Sequence, residues 1–245
     1  MENDQEQRGL KILYDMLVKA VEFPSTNEYS PVSFTKWIGH LQSLSHIMMQ
    51  FYSPVLTEEY NRALNDLEHL PDLTADEITL IKSYDVGYAI LEVISQSFAD
   101  QNLLIENPMG QKIIYDSLVN VATFAQNNTF NPSQILRFFH MIRGLNSLIY
   151  PYLSRHEREL AIISKGLHKG LNLYPSDDYV VKSREWLFNW MGLLSRVLQE
   201  NNMLIPEELS FSDRIGNKKD KHNGENKEIE APVTVEKEIE EVKAQ

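Results

Sequence analysis

The chain contains no cysteine. That removes disulfide frameworks, thiolate nucleophiles and cysteine-ligated zinc, and it fits a reducing compartment or a virus particle. Long apolar runs are missing too: no stretch approaches about eighteen uncharged apolar residues, so no membrane span is expected. Residues 1–8 are polar and acidic, without the basic start and apolar centre of a signal peptide. The expected location is therefore cytoplasmic or virion-associated, and the Asn127-Asn128-Thr129 sequon carries no weight without an export signal. No segment alternates with period two for long enough to argue a strand. Glycine-rich phosphate loops, a GxSxG elbow, a kinase-like set and a paired-carboxylate signature are all absent.

Positive charge is scarce. Lys and Arg number 23 against 35 Asp and Glu, a net charge of −12. Residues 207–245 hold eleven acidic and seven basic side chains, so −4 belongs to that tail and −8 to the body. A phosphate backbone would be repelled on average, which argues against nucleic acid as a partner. The one basic cluster, Lys218, Lys219 and Lys221, is short and sits inside the acidic tail.

What the sequence does have is an internal repeat. Residues 9–23 (GLKILYDMLVKAVEF) and 110–124 (GQKIIYDSLVNVATF) are identical at eight of fifteen positions, among them Gly9/Gly110, Lys11/Lys112, Tyr14/Tyr115 and Asp15/Asp116. At the same offset, Phe34, Trp37, Leu41, Leu44 and Met48 align with Ile135, Phe138, Ile142, Leu145 and Ile149. Both series step 3, 4, 3, 4, the spacing of one apolar helix stripe. The offset then drops to 97 and settles at 100, changes of about one helical turn that keep a stripe in phase. The match ends with DQNLLI (100–105) against ENNMLI (200–205).

Each unit reads as four helices. In the first, helix one spans about Gly9 to Phe23 and stops before Pro24. Ser30 caps helix two with Pro31 behind it, and that helix runs to about Tyr52. Thr57 opens helix three, and helix four spans about Ala75 to Asn102. In the second unit Asn107-Pro108 and Asn131-Pro132 open helices one and two, and the latter stops near Tyr150 because Pro151 follows. Ser154 with Glu157 predicts a capping box for helix three, and helix four spans about Asp177 to Asn202. The expected fold is all-α, a tandem duplication of a four-helix unit with about eight main helices, arranged as a bundle or a short α-solenoid. The expected boundaries are a flexible 1–8, units at 9–106 and 107–206, and a charged disordered tail at 207–245. In that tail Val235, Ile239 and Val242 fall at i, i+4 and i+7, either a short helix over 234–243 that orders on a partner or incidental aliphatics in a solvated tail.

Candidate chemistry is sparse. None of the seven histidines makes an HxxxH or ExxH pair. Asp66 and His69 stand at i, i+3 but give an incomplete zinc set. His40 and His140 are one residue out of register in the repeat and should point about 100° apart. Polar residues identical in both units (Lys11/Lys112, Tyr14/Tyr115, Asp15/Asp116, Lys82/Lys182, Ser83/Ser183, Ser95/Ser195, Asn102/Asn202) read either as paired binding sites or as groups that hold each unit together. Lys11 to Asp15 has the weaker orientation for a helix ion pair, which favours an interhelical contact. Trp186 and Trp190 have Val86 and Ile90 as counterparts, so they mark either a partner-contact face or a wider core gap. No catalytic residue, cofactor or metal site is expected.

Three functions follow as expectations. The first is a non-catalytic protein–protein interaction or assembly subunit, including a structural component of a virus particle, with other protein subunits or a second copy of the chain as partner. The second is an enzyme or small-ligand binder whose polar, concave site lies in the cleft between the two units. The third is a nucleic-acid-associated regulator.

Overall fold

The computed structural model describes residues 2–203, with side chains from Gln7 onward. The proposed tail helix with Val235, Ile239 and Val242 lies outside the described residues. The described residues form eight α-helices: α1 (Glu2–Thr26), α2 (Pro31–Met48), α3 (Pro54–Glu68), α4 (Glu77–Asp100), α5 (Pro108–Asn127), α6 (Pro132–Leu148), α7 (Glu157–Leu171) and α8 (Asp177–Glu200). There is no strand among the described residues, so the all-α expectation holds.

Local chemistry sets most of the boundaries. Ser30, Asp76, Asn107, Asn131 and Ser176 each accept a backbone N–H at the start of a helix, and Asn131 forms a full capping box with Gln134. Three boundaries differ from expectation. Helix three begins at Pro54, capped by Ser53, not at Thr57. Ser154 does not cap α7. It sits in a 3-10 turn whose His156 N–H bonds the Leu153 carbonyl, and α7 starts at Glu157 with no side-chain cap.

The third difference is at α1, which starts at Glu2 and runs through Pro24 to Thr26. Residues 2–8 contain no Gly or Pro to stop a helix. Pro24 lacks the N–H that would bond the Ala20 carbonyl four residues back. The buried indole of Trp37 donates to that carbonyl instead, Nε1 to O at 2.7 Å, so the helix passes its proline without leaving a buried acceptor unpaired.

α6 packs against α1 and α4 as well as α5 and α8, α4 also packs on α2 and α3, and α7 packs on α8. Residues from both expected units therefore share one core. The aligned stripes of α2 and α6 are buried at all five pairs, Phe34/Ile135 to Met48/Ile149. Helices α4 and α8 end alike: Leu103 N–H bonds the Phe98 carbonyl and Met203 N–H the Leu198 carbonyl, with Asn102 and Asn202 left-handed at φ 56° and 58°. The α1 and α5 stretches are not equivalent. Gly9 is exposed with open space around it, whereas a Cβ on Gly110 would lie 2.3 Å from the Leu103 carbonyl oxygen. Ile12 is exposed and Ile113 buried.

Candidate functional site

A cavity of about 290 Å³ lies among α4, α6, α7 and α8. Each helix presents one stripe to it at helical spacing: Ile81, Asp85 and Glu92 from α4; Phe139, Arg143 and Asn146 from α6; Leu160, Ser164 and His168 from α7; Tyr179, Ser183, Leu187 and Trp190 from α8. Its walls are mostly apolar. Its outer edge holds Tyr150 and His168, both exposed.

The polar part is built around Arg143. Its guanidinium donates to Glu92 Oε1 at 2.5 Å, approaches Asp85 Oδ1 at 4.0 Å, and lies over the Tyr88 ring at 5.1 Å. The side chains of Arg143 and Glu92 are only 18% and 17% exposed, and Asp85 is 44% exposed. Ser147 Oγ donates to the same Glu92 oxygen at 3.3 Å. Burial raises the Asp85 pKa above the usual carboxylate value, opposed by Arg143 and His168 and helped by Glu92. Burial alone would lower the Arg143 pKa, but Glu92 and Asp85 outweigh it and raise it. One guanidinium thus faces two carboxylates.

Seven buried side-chain polar atoms lack a hydrogen-bond partner among the described residues, and two of them, Asn146 Nδ2 and Ser183 Oγ, belong to residues that line the cavity. The Asn146 orientation follows from chemistry. Trp190 Nε1 donates only, and it meets Asn146 Oδ1 at 3.0 Å, so the amide NH₂ is the unoccupied end. A second groove of about 340 Å³, between α1, α5 and α6, is different. Its Asn120 and Asn128 amides are taken by Glu22 and by the Phe124 carbonyl, and none of its polar atoms is buried without a partner.

Ser164, His168 and Asp85 bring together the residue types of a hydrolase triad, but the geometry does not activate the serine. His168 Nδ1 lies 2.8 Å from the Ser164 backbone carbonyl and 3.4 Å from its hydroxyl, so this nitrogen donates to the backbone. The other nitrogen faces Asp85 Oδ2 at 3.9 Å. A general base needs its lone pair on the hydroxyl and its N–H on the carboxylate.

Of the residues singled out by sequence, Trp190 is buried at 4% exposure as cavity wall. Trp186 is half-buried, its ring lying where a Cβ on Gly166 would come within 2.3 Å. His140 is buried among Tyr29, Tyr84 and Tyr88, with Tyr88 Oη 2.8 Å from its Nδ1, whereas His40 is exposed. Tyr14 reaches across the fold and donates to the Leu103 carbonyl. Contrary to the interhelical reading, Lys112 and Asp116 do form an exposed i, i+4 pair at 2.5 Å. No group of three metal-ligating side chains occurs among the described residues, and none of their helices is long and apolar enough to cross a membrane.

Sequence reasoning missed Asp85, Glu92, Arg143 and Asn146. It weighted polar residues identical in both halves, and these have Glu185, Gly192, Gln42 and Ser45 as their counterparts. The signal that was there is charge inside an apolar stripe: Asp85 and Glu92 flank Tyr88, and Arg143 sits between Phe139 and Asn146. No family model, curated protein or solved structure matches this chain.

Proposed function

We propose that the chain is a non-catalytic small-ligand binder whose site is the cavity among α4, α6, α7 and α8. The observation that carries this reading is the pair of buried, unpartnered polar atoms, Asn146 Nδ2 and Ser183 Oγ, on the wall of a mainly apolar cavity. Leaving such atoms unsatisfied costs about 1–3 kcal/mol each, which a bound molecule recovers. An apolar cavity with a few convergent polar groups is the usual form of a ligand site. The orientation of His168 argues against hydrolysis. The test is a fragment screen by ligand-observed NMR on the full chain and on Ser164→Phe, which fills the cavity from α7. Saturable hits lost in the variant support the reading; hits that survive it, or none, contradict it.

The assembly-subunit reading has a separate observation in its favour. Ile47, Met49, Phe51 and Val55 are exposed within nine residues at the corner between α2 and α3, where single exposed apolar residues would be unremarked but a group of four is not. It predicts self-association, read by sedimentation, that Phe51→Ser with Val55→Ser abolishes. A monomer at all concentrations counts against it.

A further inference from the structure

We infer that the cavity selects a small organic cation, an amine on an apolar body, with Asp85 as its counter-ion. This rests on the ligand-binding reading above and adds the ligand's charge. The charge balance decides between an anion and a cation. Among the described residues Arg143 is the only guanidinium on the cavity wall, and Glu92 already holds it at 2.5 Å. An anion would have to displace Glu92 and leave a buried carboxylate without its partner. Asp85 stands farther off, at 4.0 Å from Arg143 and 3.9 Å from His168, so it is the carboxylate with capacity left. Carboxylates also stand near the opening: beside the dominant effect of burial, Glu92, Glu59 and Glu157 raise the Tyr150 pKa there, with Arg143 opposing them.

A bare metal ion fits less well, because one carboxylate is a poor ligand set and the walls are apolar. An alkylammonium needs only one charge-assisted contact plus surface to cover its carbons. Phe139, Leu187 and Trp190 supply that surface, and aromatic faces also favour a cation. Asn146 Nδ2 offers a donor, and Ser183 Oγ a donor or acceptor, to a polar group elsewhere on the ligand.

Three probes of one shape and different charge test this: 2-phenylethylamine, 2-phenylethanol and 3-phenylpropanoate, titrated into the full chain and followed by tryptophan emission, since Trp190 lines the cavity. The expected order is amine at least about tenfold tighter than alcohol, with the carboxylate weakest. Asp85→Asn should bring amine and alcohol to within about twofold of each other, and retained alcohol binding shows that the variant is folded. If all three bind alike, if the carboxylate binds tightest, or if Asp85→Asn keeps the amine preference, the cation inference fails while the ligand site stands. If none binds saturably, both fail.

Discussion

Trp37 and Pro24 form a compensating pair that neither residue announces alone. The repeat has Ala125 and Phe138 at the aligned positions: an alanine that keeps its own N–H, and a ring that has none to give. Trp37→Phe should therefore cost about 1–3 kcal/mol by leaving the Ala20 carbonyl unpaired, measured by urea denaturation. In a Pro24→Ala background the same change should cost distinctly less, and an equal cost in both backgrounds would contradict the pairing. A second residue-scale effect belongs to His140. Burial, with Arg143 adding to it, lowers its pKa from 6.5 to about 3, and the Tyr29, Tyr84 and Tyr88 rings around it carry no charge to compensate. Between those two values the unfolded chain binds a proton that the folded chain does not. This contribution to stability is therefore present above about pH 6.5 and is lost as pH falls, by about 2–3 kcal/mol from pH 7 to pH 4.5. Stability of His140→Gln should fall less over that range, and parallel curves for the two proteins would refute it.

At the scale of the element, the sequence was most readable where one residue type has one physical use. The 3, 4, 3, 4 stripes of α2 and α6 and the starts at Ser30-Pro31, Asn107-Pro108 and Asn131-Pro132 were legible, because burial and capping are local properties. Helix ends were less so. Pro24 reads as a stop, but a partner seventeen residues away serves the carbonyl it strands. Ser154 reads as a cap, but it lies in the second of two 3-10 turns, Tyr150–Tyr152 and Ser154–His156, that lead into α7 through backbone bonds. The shared Asn102 and Asn202 now have a specific cause, since asparagine tolerates the left-handed conformation better than any residue but glycine. Asn102→Ala should lower stability by about 1 kcal/mol while Asn102→Gly leaves it equal or slightly higher, judged from thermal melts. A glycine variant as unstable as the alanine one would remove the backbone explanation.

For the whole molecule, α6 is the organising helix, because it packs against α1, α4, α5 and α8. The aligned stripes of α2 and α6 are both buried, yet a repeat describes what two halves have in common. The cavity depends on what they do not share: Asp85 and Glu92 of α4 meet Arg143 of α6 across more than fifty residues of sequence. A charged residue in an apolar stripe marks itself as unusual, but which residue it meets is decided by tertiary packing. Gly9 and Gly110 differ for a local reason: the Leu103 and Leu104 backbone just before α5 crowds Gly110, whereas Gly9 has open space around it.

The most direct measurement is a chemical-shift map of the full chain titrated with 2-phenylethylamine. The account predicts that the Asn146 side-chain amide, the Trp190 indole N–H and the Ser183 backbone amide shift together and saturate together. Shifts confined to the Glu22, Asn120 and Asn128 groove, or no saturable shift at those three groups, would contradict it.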